Sequence, residues 1–156
     1  MSSTLTGDLL ATSPQWLWLG CSLTLAFARH TGIDMRYDPD IAPSAPLWLS
    51  LEEARRIALV EEYHDATALP NARVHAAIHT AVENQIAMNL PSVVAAVARL
   101  QAQGLDRHDT VHAIGSVLAT HMWGLLRGNI SAGDPTAEYF AELDELTVES
   151  WRRDYG

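Results

Sequence analysis

Several residue types that would point to a familiar chemistry are scarce or absent in this sequence. It contains no lysine, and its ten basic residues, all arginines, are outnumbered by nineteen acidic residues, for a formal net charge of -9. A chain this acidic is a poor match for a phosphate backbone, so we expect no nucleic-acid partner. The single cysteine, Cys21, excludes an intrachain disulfide, and the cytoplasm is the simplest location for such a chain.

Short catalytic motifs are missing as well. The sequence has no Gly-rich phosphate loop, no Gly-x-Ser-x-Gly nucleophile turn and no His-Glu-x-x-His zinc motif. Any functional site is therefore expected to consist of side chains that different helices bring together, and not of one continuous sequence motif.

Long hydrophobic runs are also lacking, apart from one near the start of the chain. The apolar stretch 16–28 is shorter than the roughly 18 residues that a membrane span needs. No basic residue precedes Arg29, whereas a secretory signal begins with positive charge. We therefore expect no membrane partner, and a buried helix over residues 14–28 with Ser13 as its N-cap. His30, just after it, is interpreted as a surface or turn residue.

What is present indicates an all-α protein. The 156 residues are 48% hydrophobic and 19% charged, enough for one domain with a real core. Segments with helical periodicity are separated by Pro, Gly and Asp, and no segment shows sustained strand alternation. We predict a single helical domain over residues 1–156, built as a bundle of about six helices. Residues 34–49 are a Pro- and Asp-rich connector, and residues 50–153 form the bundle core.

The helix boundaries follow from capping residues. Ser50 opens a capping box and a helix to about residue 68, and Asn71 caps the next helix, to about residue 89. Pro91 starts a helix that ends before residue 104, and Asp106 caps a helix over 107–127. Asp134 and the proline after it open a last helix through residue 151.

Two pairs of histidines dominate the candidate site. His75 and His79 are four residues apart, as are His108 and His112, and a helix places such pairs on one face. Glu83 lies one further turn along the first pair's face. Both stripes are partly apolar, so these side chains are predicted to face the bundle interior.

A third helix adds a further candidate pair. Glu61 and His64 have the Glu-x-x-His spacing used in metal sites of helical bundles. Asp109 repeats this spacing but ranks lower, because a carboxylate in the first turn already stabilises the helix N-terminus. His108 is the weakest of the five imidazoles, because a position in the first turn of a helix can be frayed and exposed. His121 projects to the opposite face of its helix and is excluded.

These residues lead to three hypotheses. In the first, His64, His75, His79, His108 and His112, with Glu61 or Glu83, bind a divalent transition metal such as Zn, Fe or Mn. The protein is then a metal-dependent enzyme, hydrolytic or oxygen-dependent, with Glu83 or Glu61 as a metal ligand or general base. In the second, the metal site is closed and serves structure or carriage. In the third, the histidines are hydrogen-bonded core groups of an interaction module. A small-molecule substrate and a homo-oligomer both stay open.

The same residues carry a resemblance to a known family. From about residue 63 to residue 140 the chain resembles a bacterial family of unknown function, DUF1841. The matching positions are an aromatic-His dipeptide at Tyr63-His64, followed by Asn71, His75, His79, Gln85, His108, His112 and Trp123. The resemblance implies that the histidine pairs occur together, as a shared site requires. It implies no particular activity.

Overall fold

The described part of the chain consists of α-helices joined by turns and connecting segments. A computed structural model describes residues 35–64, 71–128 and 133–155, which belong to one compact unit. Within these ranges the backbone forms seven helices and no strand: α1 Ala45–Ser50, α2 Glu53–His64, α3 Ala72–Ala87, α4 Pro91–Ala102, α5 Arg107–Leu126, α6 Pro135–Glu145 and α7 Val148–Tyr155. The predicted all-α class is confirmed. The predicted helix over 14–28, with Ser13, Cys21 and His30, lies outside the described residues.

Three helices begin at the residues that the capping pattern predicted. Pro91 is the first residue of α4, where its missing N–H and fixed φ are favourable. Asp106 caps α5 by accepting a hydrogen bond from the Asp109 backbone N–H at 2.7 Å. Asp134 caps α6 by accepting one from the N–H of Thr136 at 2.9 Å. These caps satisfy N–H groups that have no partner within the helix.

The predicted capping box at Ser50 is wrong. Ser50 is the last residue of α1, a short helix that occupies the end of the predicted connector. Its hydroxyl donates to the Leu47 carbonyl at 2.7 Å, and α2 begins only at Glu53. Asn71 does not cap α3 through its side chain either. It adopts a left-handed conformation with φ of 61°, and only its carbonyl joins the helix.

The last predicted helix is two helices. Leu146 has extended backbone angles and ends α6. Thr147 and Ser150 then form a reciprocal cap for α7: the Ser150 N–H donates to Thr147 Oγ1 at 3.1 Å, and the Thr147 N–H donates to Ser150 Oγ at 3.0 Å. This is a capping box with serine in the third position, a signal that the sequence contained.

Helix α3 lies between two apolar clusters. One joins it to α4, α5, α6 and α7 around residues such as Val82, Ile114 and Leu143. The other joins it to α1 and α2 around Trp48 and Leu59. As a result, α3 packs against α2 on one side and α5 on another, and these three helices carry the histidines.

Gly115 sets the spacing of α3 and α5 beside the histidines. A Cβ atom at this position would lie 3.0 Å from Ile78 Cγ2. Because Gly115 has no side chain, α5 can approach α3 closely at a point about one turn after His112. No helix in the described ranges has the length and apolar character to cross a bilayer.

Candidate metal centre

The five histidines of α2, α3 and α5 converge on one region between these helices. His64 ends α2, and its ring centre lies 4.5 Å from that of His75 and 4.8 Å from that of His79. The ring centres of His79 and His112 are also 4.8 Å apart, and those of His108 and His112 are 4.4 Å apart. Three separate helices thus bring together all five imidazoles singled out in the sequence.

The nitrogens form two overlapping triads. His64, His79 and His108 make one, and His75, His79 and His112 make the other. Within each triad the nitrogen atoms that could bind an ion lie within 4.8 Å of one another. His79 belongs to both triads and is therefore the centre of the cluster.

Four of the imidazoles have a buried nitrogen with no hydrogen-bond partner among the described residues. These atoms are Nε2 of His75, His79, His108 and His112. Buried polar atoms are nearly always hydrogen-bonded, and an unsatisfied one costs about 1–3 kcal/mol. A group of four in one cluster therefore calls for an explanation, and a bound cation would supply one.

The environment of the cluster favours the neutral form of four of its imidazoles. Burial, followed by repulsion from the other imidazoles, lowers the pKa of His79 to about 2 and the pKa values of His64 and His112 to about 4. Burial and His108 also lower the pKa of His75. Neutral imidazole is the form that binds metal ions, so these histidines are already in the ligating form at neutral pH.

A hydrogen-bonded network behind His79 orients its ring. The hydroxyl of Tyr37 donates to Glu83 Oε1 at 2.8 Å and lies 3.4 Å from His79 Nδ1. Since the hydroxyl proton is given to Glu83, its oxygen can accept from Nδ1–H. That tautomer leaves the lone pair of Nε2 directed into the cluster. Burial and the neighbouring Glu83 carboxylate raise the pKa of Tyr37, which keeps its proton in place.

Glu83 is buried and neutralised by an arginine. Arg107 donates from Nη1 to Glu83 Oε1 at 2.9 Å and from Nη2 to Oε2 at 2.7 Å, and it also donates to the Pro39 carbonyl. With Tyr37 as a third donor, both Glu83 oxygens are occupied. Glu83 lies outside the two converging triads.

Glu61 and the lower-ranked candidates also lie apart from the triads. Glu61 Oε2 is 3.4 Å from Nη1 of Arg73 at the surface. Asp109 Oδ1 approaches Nδ1 of His112 only to 3.8 Å. His121, excluded by its helical position, lies 2.6 Å from Glu142 and away from the cluster. The converging ligand atoms in the described residues are therefore all imidazole nitrogens.

Sequence reasoning missed Tyr37 and Arg107. Tyr37 lies in the connector, where no periodicity marks a side chain as inward-facing. Arg107 could have been found, because Glu83 falls on a partly apolar stripe and a buried carboxylate needs a cation or several donors. Arg107 is such a cation, and it lies in the first turn of α5 next to His108.

The cluster borders a cavity of about 360 Å3. His75, His79 and His112 form one side of it, and Ile78, Ser116 and Trp151 contribute to the others. One triad therefore faces a space that can hold water or a small solute. Of the other triad, His79 lines this cavity, whereas His64 and His108 do not.

Comparison with protein-family models places the chain in a family. Residues 42–145 match the domain of unknown function DUF1841, and the chain belongs to this family. Searches of curated proteins and of solved structures found no match. The family description assigns no chemistry, so any function must be argued from the site.

Proposed function

We propose that this member of the DUF1841 family is a metal-dependent enzyme. It binds one divalent transition metal ion through His75, His79 and His112 and uses this ion in catalysis. The proposal depends on the four buried Nε2 atoms that have no hydrogen-bond partner in the described part of the chain. Three neutral imidazoles whose nitrogens lie within 4.8 Å of one another match the donor type and approximate spacing of a three-histidine site. The rings of His64 and His108 adjoin this group and do not line the cavity.

The donor set favours a late transition metal. Imidazole suits Zn, Cu, Ni and Fe, whereas Mn, Mg and Ca prefer oxygen ligands. The two-histidine, one-carboxylate arrangement of oxygen-activating iron sites would need a carboxylate here, and both Glu83 and Glu61 are paired with arginines instead. Zinc is therefore our first choice among Zn, Fe and Mn, and hydrolysis is favoured over oxygen chemistry.

His79 limits the site to one ion. Both triads require His79, and its Nδ1 faces the Tyr37 hydroxyl. Only Nε2 of His79 is left to bind metal, so the two triads are alternative sets of ligands for a single metal ion.

The cavity gives the proposed metal an open side. A bound metal with three protein ligands lowers the pKa of a coordinated water to about 7 and polarises a carbonyl. The chain's own residues hold that centre in place: Tyr37 fixes the tautomer of His79, and Glu83 with Arg107 fixes Tyr37. We accordingly assign Glu83 a positioning role instead of that of metal ligand or general base.

The alternative of purely structural histidines is less well supported. In that case the buried imidazoles should donate to carboxylates or carbonyls, and Glu61 and Glu83 were the candidates. Each of these carboxylates contacts an arginine. Within the described ranges, four Nε2 atoms then stay without a hydrogen-bond partner, which would destabilise the core.

Metal analysis of untagged protein after reconstitution with Zn2+ tests the proposal. We expect about one equivalent per chain, and less than about one tenth of that in His79→Ala, because His79 is common to both triads. His121→Ala is the matched control, since it removes an imidazole of α5 outside the cluster. Protein that holds no metal after reconstitution, or a His79→Ala variant with full occupancy, would refute the site.

A second measurement separates an enzyme from a metal carrier. The zinc-loaded protein should hydrolyse activated p-nitrophenyl esters, lose this activity with a chelator and regain it with Zn2+. The His112→Ala variant should stay inactive after zinc is restored. A stoichiometric zinc protein without any such activity would favour the closed structural or carrier role.

A further inference from the structure

The cavity beside the histidines continues into a larger groove. This groove has a volume of about 640 Å3 and runs between α3, α5 and the end of α7. It shares Ile78, Ser116, Ala119 and Tyr155 with the histidine-lined cavity. A molecule that enters along the groove therefore meets the proposed metal centre.

The groove presents an apolar surface. None of the side chains that line it is charged, although the chain as a whole carries a net charge of -9. Its hydroxyl groups are occupied: Ser116 Oγ donates to the His112 carbonyl at 2.9 Å, and Thr120 Oγ1 bonds to the Ser116 carbonyl at 3.0 Å. The Tyr155 hydroxyl in turn lies 3.2 Å from Thr120 Oγ1. A bound molecule would thus contact few free polar groups in the walls of the groove.

Large apolar side chains of this groove face outward. Val74 is 65% exposed, Trp123 57% and Leu126 78%. A contiguous apolar patch of this kind typically marks a binding surface. Here the patch leads into a cavity walled by three imidazoles, so its position indicates a ligand with two chemically different ends.

We infer that the site binds a small amphipathic molecule, with a metal-ligating carbonyl or carboxylate head at His75, His79 and His112 and an uncharged acyl or aryl tail in the groove. This inference rests on the proposed function, because the head requires the metal. The continuity of the two spaces favours this occupant. A second copy of the chain could cover the apolar patch without using the histidine-lined cavity.

Chain-length dependence of hydroxamate binding tests the inference. Alkyl hydroxamates are metal-chelating probes, and calorimetry on the zinc-loaded full chain can compare acetohydroxamate with octanohydroxamate. Fully burying each methylene is worth up to about a fourfold gain in affinity. Even with partial burial, we expect octanohydroxamate to bind at least about 30-fold more tightly.

A charge placed in the groove should remove this gain. Met122→Glu changes a half-exposed residue that lines the groove and not the histidine-lined cavity, so it should reduce the octanohydroxamate advantage to less than about fivefold and leave acetohydroxamate binding unchanged. Leu125→Glu is the matched control: Leu125 is an exposed apolar residue of α5 that lines neither space, and the wild-type pattern should persist.

The possible outcomes of these experiments distinguish the amphipathic ligand from the metal site on which it depends. Zinc-loaded protein that binds both hydroxamates equally would overturn the amphipathic ligand and leave the metal site standing. If the Met122→Glu substitution converts a dimer to a monomer and the wild type shows no chain-length effect, the groove belongs to a contact with a second copy of the chain. Protein that takes up no zinc would overturn both.

Discussion

The phenolic oxygen of Tyr37 lies 3.4 Å from Nδ1 of His79, across 42 residues of sequence. This contact connects the centre of the histidine cluster to a buried ion pair, because Tyr37 also donates to Glu83, which Arg107 holds. The hydroxyl has one proton and gives it to the carboxylate, so toward His79 it acts as an acceptor. The hydrogen bond of one hydroxyl therefore favours the His79 tautomer that has its proton on Nδ1 and a free lone pair on Nε2.

Removing that hydroxyl should weaken metal binding. We expect Tyr37→Phe to lower zinc affinity by about 10- to 100-fold, the usual effect of losing a group that orients a ligating histidine. Competition with a chromophoric chelator measures the change. Tyr63→Phe is the control, because Tyr63 contacts the rings of His64 and His108 and its hydroxyl makes no hydrogen bond with the described residues. Equal zinc affinities in wild type and Tyr37→Phe would show that Tyr37 does not position His79.

Removing Arg107 should destabilise the fold itself. Arg107→Met leaves the Glu83 carboxylate buried without its cation, which costs about 3–5 kcal/mol of unfolding free energy. Urea denaturation measures this loss, and Arg107→Met with Glu83→Leu should recover most of it. Arg73→Met, which breaks only the exposed pair with Glu61, should cost less than about 1 kcal/mol. Similar losses in the two single variants would contradict a structural role for the buried pair.

The metal-free protein should lose stability as the pH falls below about 6.5. The folded-state pKa values are about 4 for His64 and His112 and about 2 for His79, all below the unfolded value, so the unfolded chain binds more protons in this window. Each such histidine contributes about 1.4 kcal/mol per pH unit between its two pKa values, or about 4 kcal/mol per unit for three. Asp109, beside His112, partly opposes the effect.

Urea unfolding in the presence of EDTA, between about pH 5 and 6.5, measures that slope. Replacing His79 by Gln removes one titrating group and should lower the slope by about 1.4 kcal/mol per pH unit. An unfolding free energy that stays constant across this window would mean that the imidazoles are not buried in neutral form.

Zinc should stabilise the fold in proportion to its binding. At a free concentration about 100 times the Kd, a ligand specific for the folded state contributes about 2.7 kcal/mol. For a chain of this size we expect Tm to rise by about 5–10 °C, measured by calorimetry. Mg2+ at the same concentration should have no effect, because it prefers oxygen ligands. A Tm shift of the same size in His79→Ala would place the stabilising zinc elsewhere.

Local signals in the sequence predicted much of the helical framework. Pro91, Asp106 and Asp134 start helices because each satisfies or removes an N–H that the first turn leaves open. Two local signals were misread. Ser50 fits a capping box in sequence but ends α1 in the structure, and the true capping box at Thr147 and Ser150 lies inside an apparently continuous helical pattern.

The sequence by itself determined that His75 and His79 are neighbours, and likewise His108 and His112. Four residues make about one helical turn, and the ring centres of the two pairs are 4.6 Å and 4.4 Å apart. Only the tertiary structure decided what Glu83 does. Its spacing placed it in line with His75 and His79, yet its partners are Arg107, 24 residues away, and Tyr37, 46 residues away. Helical periodicity is a local property and relates side chains along one helix. Contacts between helices depend on how those helices pack, and no periodicity within a single helix encodes that.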